Sequence, residues 1–395
     1  MLGILKMSEK ELIYLTYQTF PSQKANTIQT IENLKYFSKN NKNISLIYPL
    51  REKNSSDNAE FLKKFYNFDE KIKFIGTDHN LPFGKINFLN KYTFLFSHYQ
   101  WSKKTSRNII KNYSSDNFYF TRSEWIFYFL SKNNFNIIFE CHQMSKIRKF
   151  LIKKSIEYKY SKIVFLNNGL INDSGINIEK FYKKLLVLPN GVDINLFKKN
   201  VTKKKNKIIF AGNLERFGVK RDLSYIIDAF DTDEIKDKYT LKIISGTNKL
   251  NFELLDYIKS KNLENYIFVE SRKNRLETIN EIQNAEIGLL FNSSQNEHSV
   301  KYTSPLKYFE YLYGELKIIA VDYPAHRDLP FSENIIYFKE NDTNSFLNSL
   351  MNTENIKPIS KKNLESISLD FRVKKLLQIK KMLFYIHQER IHQAL

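Results

Sequence analysis

Short, unbroken apolar runs recur along this chain, and the segments between them carry apolar residues at helical spacing. In the first half the runs are ELIYLTYQTF (residues 11–20), NISLIYPL, KIKFIG, NFYFTR, FNIIFECH and SKIVFLNN. The segment SQKANTIQTIENLKYFSKNN places Ile28, Ile31, Leu34 and Phe37 on one helical face, and DNAEFLKKFY reads as a second helix. Parallel strands need crossover connections, usually helices, and are buried on both faces, so they read as solid apolar runs rather than alternations. The second half repeats the plan. NKIIFAGN, YTLKIISGT, NYIFVES, EIGLLFN and LKIIAVD read as strands, with DLSYIIDAF, NFELLDYIKS, RLETINEIQNA and SPLKYFEYLYG as helices between them.

The expected fold class is therefore α/β, with two Rossmann-like, doubly wound parallel-sheet domains. At 395 residues the chain also exceeds what one hydrophobic core normally supports. The expected boundaries are 1–197 for the first domain and 198–372 for the second, with a Lys-rich linker around 198–206. The stretch SISLDFRVKKLLQIKKMLFYIHQ reads as a long helix, and residues 373–395 are expected to pack back on the first domain. The dipeptide Asn190-Gly191 in LLVLPNGVDINLF (185–197) would ordinarily signal a hairpin, but the residues after it are polar and Lys-rich. It is expected to close one unit and lead into the next.

Composition narrows the function classes. With 42% hydrophobic and 15% aromatic residues the chain can bury sizeable cores, which excludes a disordered protein. The single cysteine, Cys141, excludes an internal disulfide and suits a reducing compartment. No apolar run approaches the ~18 residues that span a bilayer, and the opening MLGILKMSEKE is too short in apolar residues for a secretion signal. The expectation is a soluble cytoplasmic protein. A formal charge of +20 fits nucleic acid, an anionic membrane surface or phosphorylated substrates, although general enrichment in Lys competes with all three. The segment KIRKFLIKKSIEYKYSK (146–162) is basic with helical apolar spacing. It suits either anionic lipid headgroups or the ordinary surface of a Lys-rich protein.

In doubly wound sheets ligands bind beyond the carboxyl ends of strands, so strand-end residues are the candidates. Within HSVKYTSPLKYFEYLYGELKIIAVDYPAHRDL (298–329), Ser304 suits an N-cap and Pro305 a first helical position. Backbone N–H groups around Ser304, Pro305 and Leu306 would then meet a phosphate or diphosphate. Lys307 adds charge in the first turn, and Glu310, one turn on, could accept from ribose hydroxyls. An ordinary capped helix with an i, i+3 Lys–Glu pair explains the same residues.

Taken in order, VLPNGVDINLF, IIFAGNLERFGVK, NAEIGLLFN and SPLKYFEY resemble the family 4 (glycosyl transferases group 1) type of GT-B glycosyltransferase. TFPSQKANT, YFTR and IFECHQ extend the resemblance through the first half. It implies GT-B architecture, with two Rossmann-like domains facing a cleft. It also implies a metal-independent, retaining, hexosyltransferase-type enzyme with no cofactor beyond the nucleotide-sugar donor. The acceptor would be a glycan or lipid-linked molecule of cell-surface polysaccharide or glycolipid assembly, reached in the cytoplasm or as a peripheral protein on the cytoplasmic membrane face. The resemblance assigns Asn190, Gly191 and Asp193 structural roles in the interdomain crossing. Glu310 matches the second of the family's two glutamates, while the first falls on Tyr302. In the loop AGNLERFGVKRD, Lys220 is the expected diphosphate lysine. Asn213 stands where the family has an arginine, which leaves Arg216 as its substitute. His142 and Glu140 match the family's Glu-x-His site, whose histidine faces the sugar. Arg122 is an acceptor or phosphate contact, and Ser22 to Asn26 line the acceptor side.

Other chemistries fit less well. Cys141 beside His142 suggests a thiol nucleophile, but neighbouring strand residues point to opposite faces. Asp231-Thr232-Asp233 has an Asp-x-Asp form yet follows a helix, and His298, His326, His387 and His392 lack metal-ligand spacing. TFPSQKANT stands where a dinucleotide fold would carry G-x-G-x-x-G. Two rivals stay open: a nucleotide-sugar epimerase of the same fold, and a basic nucleic-acid-binding protein.

Overall fold

A computed structural model describes residues 10–40, 43–79, 90–216, 218–246 and 248–379. Contacts divide the chain into two compact units. The first holds the residues up to Phe165, Leu170–Leu188 and those from Val373 onward; the second holds Leu166–Gly169 and Pro189–Arg372.

The first unit is built on seven strands: β1 (Leu12–Leu15), β2 (Ile44–Leu50), β3 (Lys73–Asp78), β4 (Phe118–Thr121), β5 (Ile137–Cys141), β6 (Ser161–Phe165) and β7 (Leu185–Val187). Their order is β3-β2-β1-β4-β5-β6-β7, every pair parallel. The helices are α1 (Ala25–Asn40), α2 (Ala59–Tyr66), α3 (Asn90–Asn112), α4 (Glu124–Lys132), α5 (Lys146–Ser155), α6 (Asn168–Ser174) and α7 (Ile178–Phe181). On α1 the expected face buries Ile31, Leu34 and Phe37. All four residues of β1 are wholly buried, as a central parallel strand requires. Asn58, Ser123 and Ser145 cap α2, α4 and α5 by accepting from the N–H three residues on, which explains where these helices start.

The second unit contains β8 (Lys207–Ala211), the small antiparallel pair β9 (Glu215–Arg216) and β10 (Val219–Lys220), then β11 (Thr240–Ser245), β12 (Ile267–Ser271), β13 (Ile287–Leu290), β14 (Lys317–Val321) and β15 (Ile335–Phe338). The main sheet runs β12-β11-β8-β13-β14-β15, all parallel. Its helices are α8 (Ser224–Ala229), α9 (Asn248–Ser260), α10 (Arg275–Gln283), α11 (Glu297–Lys301), α12 (Leu306–Tyr313), α13 (Pro324–Arg327) and α14 (Thr343–Met351). Alternate residues of β8 feed opposite cores. Ile208 and Phe210 pack with Ile226, Leu250 and Phe346, whereas Ile209 and Ala211 pack with Ile279, Phe309 and Leu312. Both faces are covered, so the strand is apolar from Ile208 on.

The segment around Asn190 makes no hairpin. Asn190 Nδ2 donates to the Ser304 carbonyl at 2.6 Å, and its N–H donates to Ser304 Oγ at 3.2 Å. Gly191 passes so close to residues 367–369 that a Cβ would stand 3.0 Å from the Ile367 carbonyl oxygen. Asp193 caps a short 3-10 turn by accepting from the Asn195 N–H. The Lys-rich stretch is anchored too. Lys203 Nζ donates to the carbonyls of Gln283, Ala285 and Gly314, the last two at 3.0 and 2.7 Å, and so satisfies chain ends left by α10 and α12. Residues 369–379 are helical, and Lys162 of the first unit donates to the Ile379 carbonyl. The rest of the expected C-terminal helix, 380–395, lies outside the described residues.

Candidate functional site

In each main sheet the strand order reverses once, beside β1 in the first unit and beside β8 in the second. Such reversals leave a crevice at the carboxyl ends of the two diverging strands. The residues that follow β8 and β13 are therefore those to inspect first in the second unit.

After β8 the chain folds into the β9–β10 pair, and two consecutive basic residues take opposite directions, as extended chain dictates. Lys220 points outward, 64% of its side chain exposed, and pairs with Glu253 Oε2 at 2.9 Å. It borders a shallow groove of about 240 Å³ with Arg221, Leu250, Leu254 and Tyr257. Arg221 turns the other way. Its Nη2 donates to Asn292 Oδ1, just past β13, at 2.7 Å, while its buried Nε has no hydrogen-bond partner among the described residues. Arg216, on β9, donates to Thr303 Oγ1 at 3.2 Å and to His298 Nε2 at 3.5 Å. Burial disfavours charge on both arginines, and the nearby Arg216 adds to the effect on Arg221, which is pushed down to about 10. His326, fully buried with Nδ1 against the Val321 carbonyl, feels the same two guanidinium groups. Cations crowd this strand-end region.

The helix expected to be capped by Ser304 and to start at Pro305 begins one residue later. Ser304 does not cap it: its hydroxyl and carbonyl are taken by Asn190, and Pro305 occupies the cap position without a side-chain bond. Leu306 is the first helical residue of α12, followed by Lys307. Lys307 Nζ lies 2.7 Å from Glu310 Oε2, and Arg275 of α10 bonds the other carboxylate oxygen. Burial alone would raise the Glu310 carboxyl, but Arg275 and Lys307 hold it below the usual carboxylate range. The i, i+3 pair thus forms, with Arg275 as a third member, and Lys307 directs its ammonium at Glu310. Two half-buried cations and one buried anion leave the triad at net +1. Tyr311, next to Glu310 on α12, reaches the end of β8, where its hydroxyl accepts from the Ala211 N–H at 3.1 Å. Its ring lies flat on Gly288, where a Cβ would clash at 2.5 Å.

In the first unit β4 and β5 bring three expected residues together. Arg122 Nε and His142 Nε2 each lie 2.7 Å from the same oxygen, Glu140 Oε2. Arg122 Nη1 also reaches the Asn26 carbonyl at 3.4 Å, which joins the start of α1 to the group. A second nitrogen of Arg122, Nη2, is buried and unpartnered among the described residues. Ser22 stands apart from this group: its N–H and carbonyl both engage Tyr66 Oη, at 2.6 and 3.0 Å. Cys141 is buried, and burial pushes its thiol up to about 12, far from a thiolate nucleophile. Among the described residues no three His, Cys, Asp or Glu side chains converge to hold a metal ion.

The sequence patterns did not single out Arg221 or Arg275, and they raised His298 only as a metal ligand. Arg221 was overlooked because the family spacing drew attention to Lys220. The alternation of side chains along β10 was the signal that could have separated them.

No family model matches this chain, and no curated protein matches its sequence. Solved structures do match it over nearly its whole length. A glycosyltransferase from Rickettsia africae is 14% identical, with a TM-score of 0.66, covering 95% of this chain and 99% of that one. A sucrose-phosphate synthase from Thermosynechococcus elongatus is 12% identical at a TM-score of 0.68, covering 95% and 100%. Anabaena HepE, solved in complex with UDP, is 11% identical at 0.61, covering 94% and 100%. The likeness shows the fold, which is GT-B, with two Rossmann-like units.

Proposed function

We propose that this chain is a glycosyltransferase of the family 4 type that takes its sugar from a nucleotide-diphosphate donor. The observation that carries the reading is Arg221 beside the β8–β13 reversal, held by the neutral amide of Asn292 with its buried Nε unpartnered among the described residues, a guanidinium suited to an anion. The HepE structure with UDP supports a nucleoside diphosphate as that anion. As the acceptor hydroxyl bonds to the anomeric carbon, the bond to the diphosphate oxygen breaks, negative charge grows there, and the departing diphosphate takes up the hydroxyl proton. Arg221 and Arg216 meet that charge, joined by N–H groups at the start of α12 near Leu306. One preorganised group of this kind contributes ~2.7–4 kcal/mol to lowering the barrier. Arg221 takes the role expected of Lys220, whose ammonium points away. Glu310, kept ionised by Arg275 and Lys307, accepts from the ribose. In the first unit His142 donates to a sugar hydroxyl or phosphate oxygen, and Arg122 with Glu140 serves the acceptor. Transfer proceeds with retention and without a metal, onto a glycan or lipid-linked acceptor at the cytoplasmic face of the membrane.

Thermal-shift screening of uridine, guanosine and adenosine diphosphates and their sugars tests the reading. A ligand at 100 times its dissociation constant adds ~2.7 kcal/mol of apparent stability. Product analysis with the best donor then separates transfer from epimerisation, which would convert the donor with no acceptor present. Failure of every nucleotide to stabilise the protein would remove the proposal.

A further inference from the structure

Three neighbouring helices of the first unit share an unusual outer surface. α4 packs against both α3 and α5. On α3, Phe96 and Tyr99 fall on one stripe, and Phe96 is 56% exposed. Tyr99 stacks edge-on against Trp125 of α4, with Phe129 beside it, so the aromatic stripe crosses from one helix to the next. On α5, Ile147 and Phe150 are 45% and 56% exposed. Among the described residues these large apolar groups lie open on their outer side.

Charge on the same helices is one-sided. The sequence of α3, NKYTFLFSHYQWSKKTSRNIIKN, has no acidic residue, nor does that of α5, KIRKFLIKKS. The one acid of α4, Glu124, is buried and bound by Arg148 Nη2 at 2.9 Å. That pairing also removes Arg148 from the surface, leaving Lys146, Lys149, Lys153 and Lys154 as the exposed cations of α5. The ammonium groups stand beside the aromatics: Lys103 Nζ lies 5.7 Å from the Tyr99 ring centre and Lys154 Nζ 4.7 Å from that of Phe150.

We propose that the joined outer stripes of α3, α4 and α5 dock on an anionic lipid bilayer. Half-buried Trp and Tyr, protruding Phe and Ile, and surrounding lysines with no acid among them match the interface in each layer. Apolar side chains enter the acyl boundary, aromatic rings with polar edges sit at headgroup depth, and ammonium groups meet lipid phosphates. A nucleic acid would use the lysines and rings but not Ile147, and it needs a groove to follow along its backbone. The docking rests on the proposed function only in that a lipid-linked acceptor gives it a purpose.

The test is co-sedimentation of the full chain with vesicles of phosphatidylcholine alone and of an equimolar mixture with phosphatidylglycerol. Wild type sediments with the mixed vesicles and only weakly with the neutral ones. Phe96→Ser with Phe150→Ser lowers partitioning about tenfold or more, and so does changing Lys146, Lys149, Lys153 and Lys154 to Gln. The control changes Lys198, Lys199, Lys204 and Lys205 to Gln, removing equal charge from the second unit, and leaves partitioning near wild type. Equal loss in the control, or sedimentation that ignores the two phenylalanines, overturns the proposal. So does polyuridine binding that outcompetes the vesicles and depends on Phe150. Unfolding midpoints and nucleotide-diphosphate affinity are measured for every variant, and all should match wild type. Wild type that binds nucleotide but does not sediment with the mixed vesicles counts against this surface alone; wild type that sediments but binds no nucleotide counts against the proposed function alone.

Discussion

Arg221 Nη2 donates to Asn292 Oδ1 at 2.7 Å, linking the loop after β8 to the residue just past β13. An amide oxygen orients the guanidinium without neutralising it, so the positive charge remains available to a ligand. Replacing that amide by a carboxylate should reverse the logic. Asn292→Asp is expected to pair with Arg221, keep the thermal midpoint, and weaken nucleoside diphosphate binding by about tenfold or more. Calorimetry that finds full affinity in this variant would place the diphosphate elsewhere.

Glu310 sits between Arg275 and Lys307 and is itself fully buried. Glu310→Ala leaves two cations facing each other, and breaking a buried pair in this way costs about 3–5 kcal/mol. The variant should therefore lose stability as well as donor affinity. Glu310→Gln keeps the shape and two hydrogen-bonding sites, so it should lose less of both. Chemical denaturation of the two variants decides the matter, and an Ala variant as stable as wild type would contradict the triad.

His142 shares Glu140 Oε2 with Arg122. His142→Ala should leave affinity for the free nucleoside diphosphate unchanged while slowing transfer from the intact donor by roughly a hundredfold. Transfer at the wild-type rate would remove His142 from the machinery.

Three buried histidines predict acid lability. Burial pushes His79, His98 and His326 each down to about 4, against an ordinary value near 6.5. The unfolded chain then binds more protons between those values, so stability rises with pH across that window and falls as pH drops from about 6.5 toward 4. Their contribution is complete above the unfolded value and lost below the folded one. Unfolding midpoints between pH 7 and 4 should fall, and His98→Asn should flatten the decline. A midpoint constant down to pH 4 would contradict this account.

Much of the fold was legible because burial on both sheet faces forces whole strands to be apolar. Leu12–Leu15 and residues 208–211 of β8 announce themselves this way, and the intervening helices follow by period. The group of Arg122, Glu140 and His142 was legible too, since all three lie at or just beyond strand ends. What failed depended on partners far away in sequence. Ser304 has the chemistry of a cap, but Asn190, 114 residues earlier, claims both its hydroxyl and its carbonyl. The pattern around Lys307 allowed a phosphate contact as well as an i, i+3 pair with Glu310; the pair forms, and only Arg275 of α10 was out of sight in the sequence. Lys220, the last residue of β10, and Arg221, just past it, are neighbours whose directions only the backbone leaving β10 separates.

The central claim is that the second unit binds a nucleoside diphosphate through Arg221. Its most direct test is calorimetric titration of uridine, guanosine and adenosine diphosphates into wild type, Arg221→Ala and Lys220→Ala. The account predicts that wild type binds at least one of them, that Arg221→Ala binds it about a hundredfold more weakly, and that Lys220→Ala stays close to wild type. No binding by wild type, or equal affinity in wild type and Arg221→Ala, would contradict it.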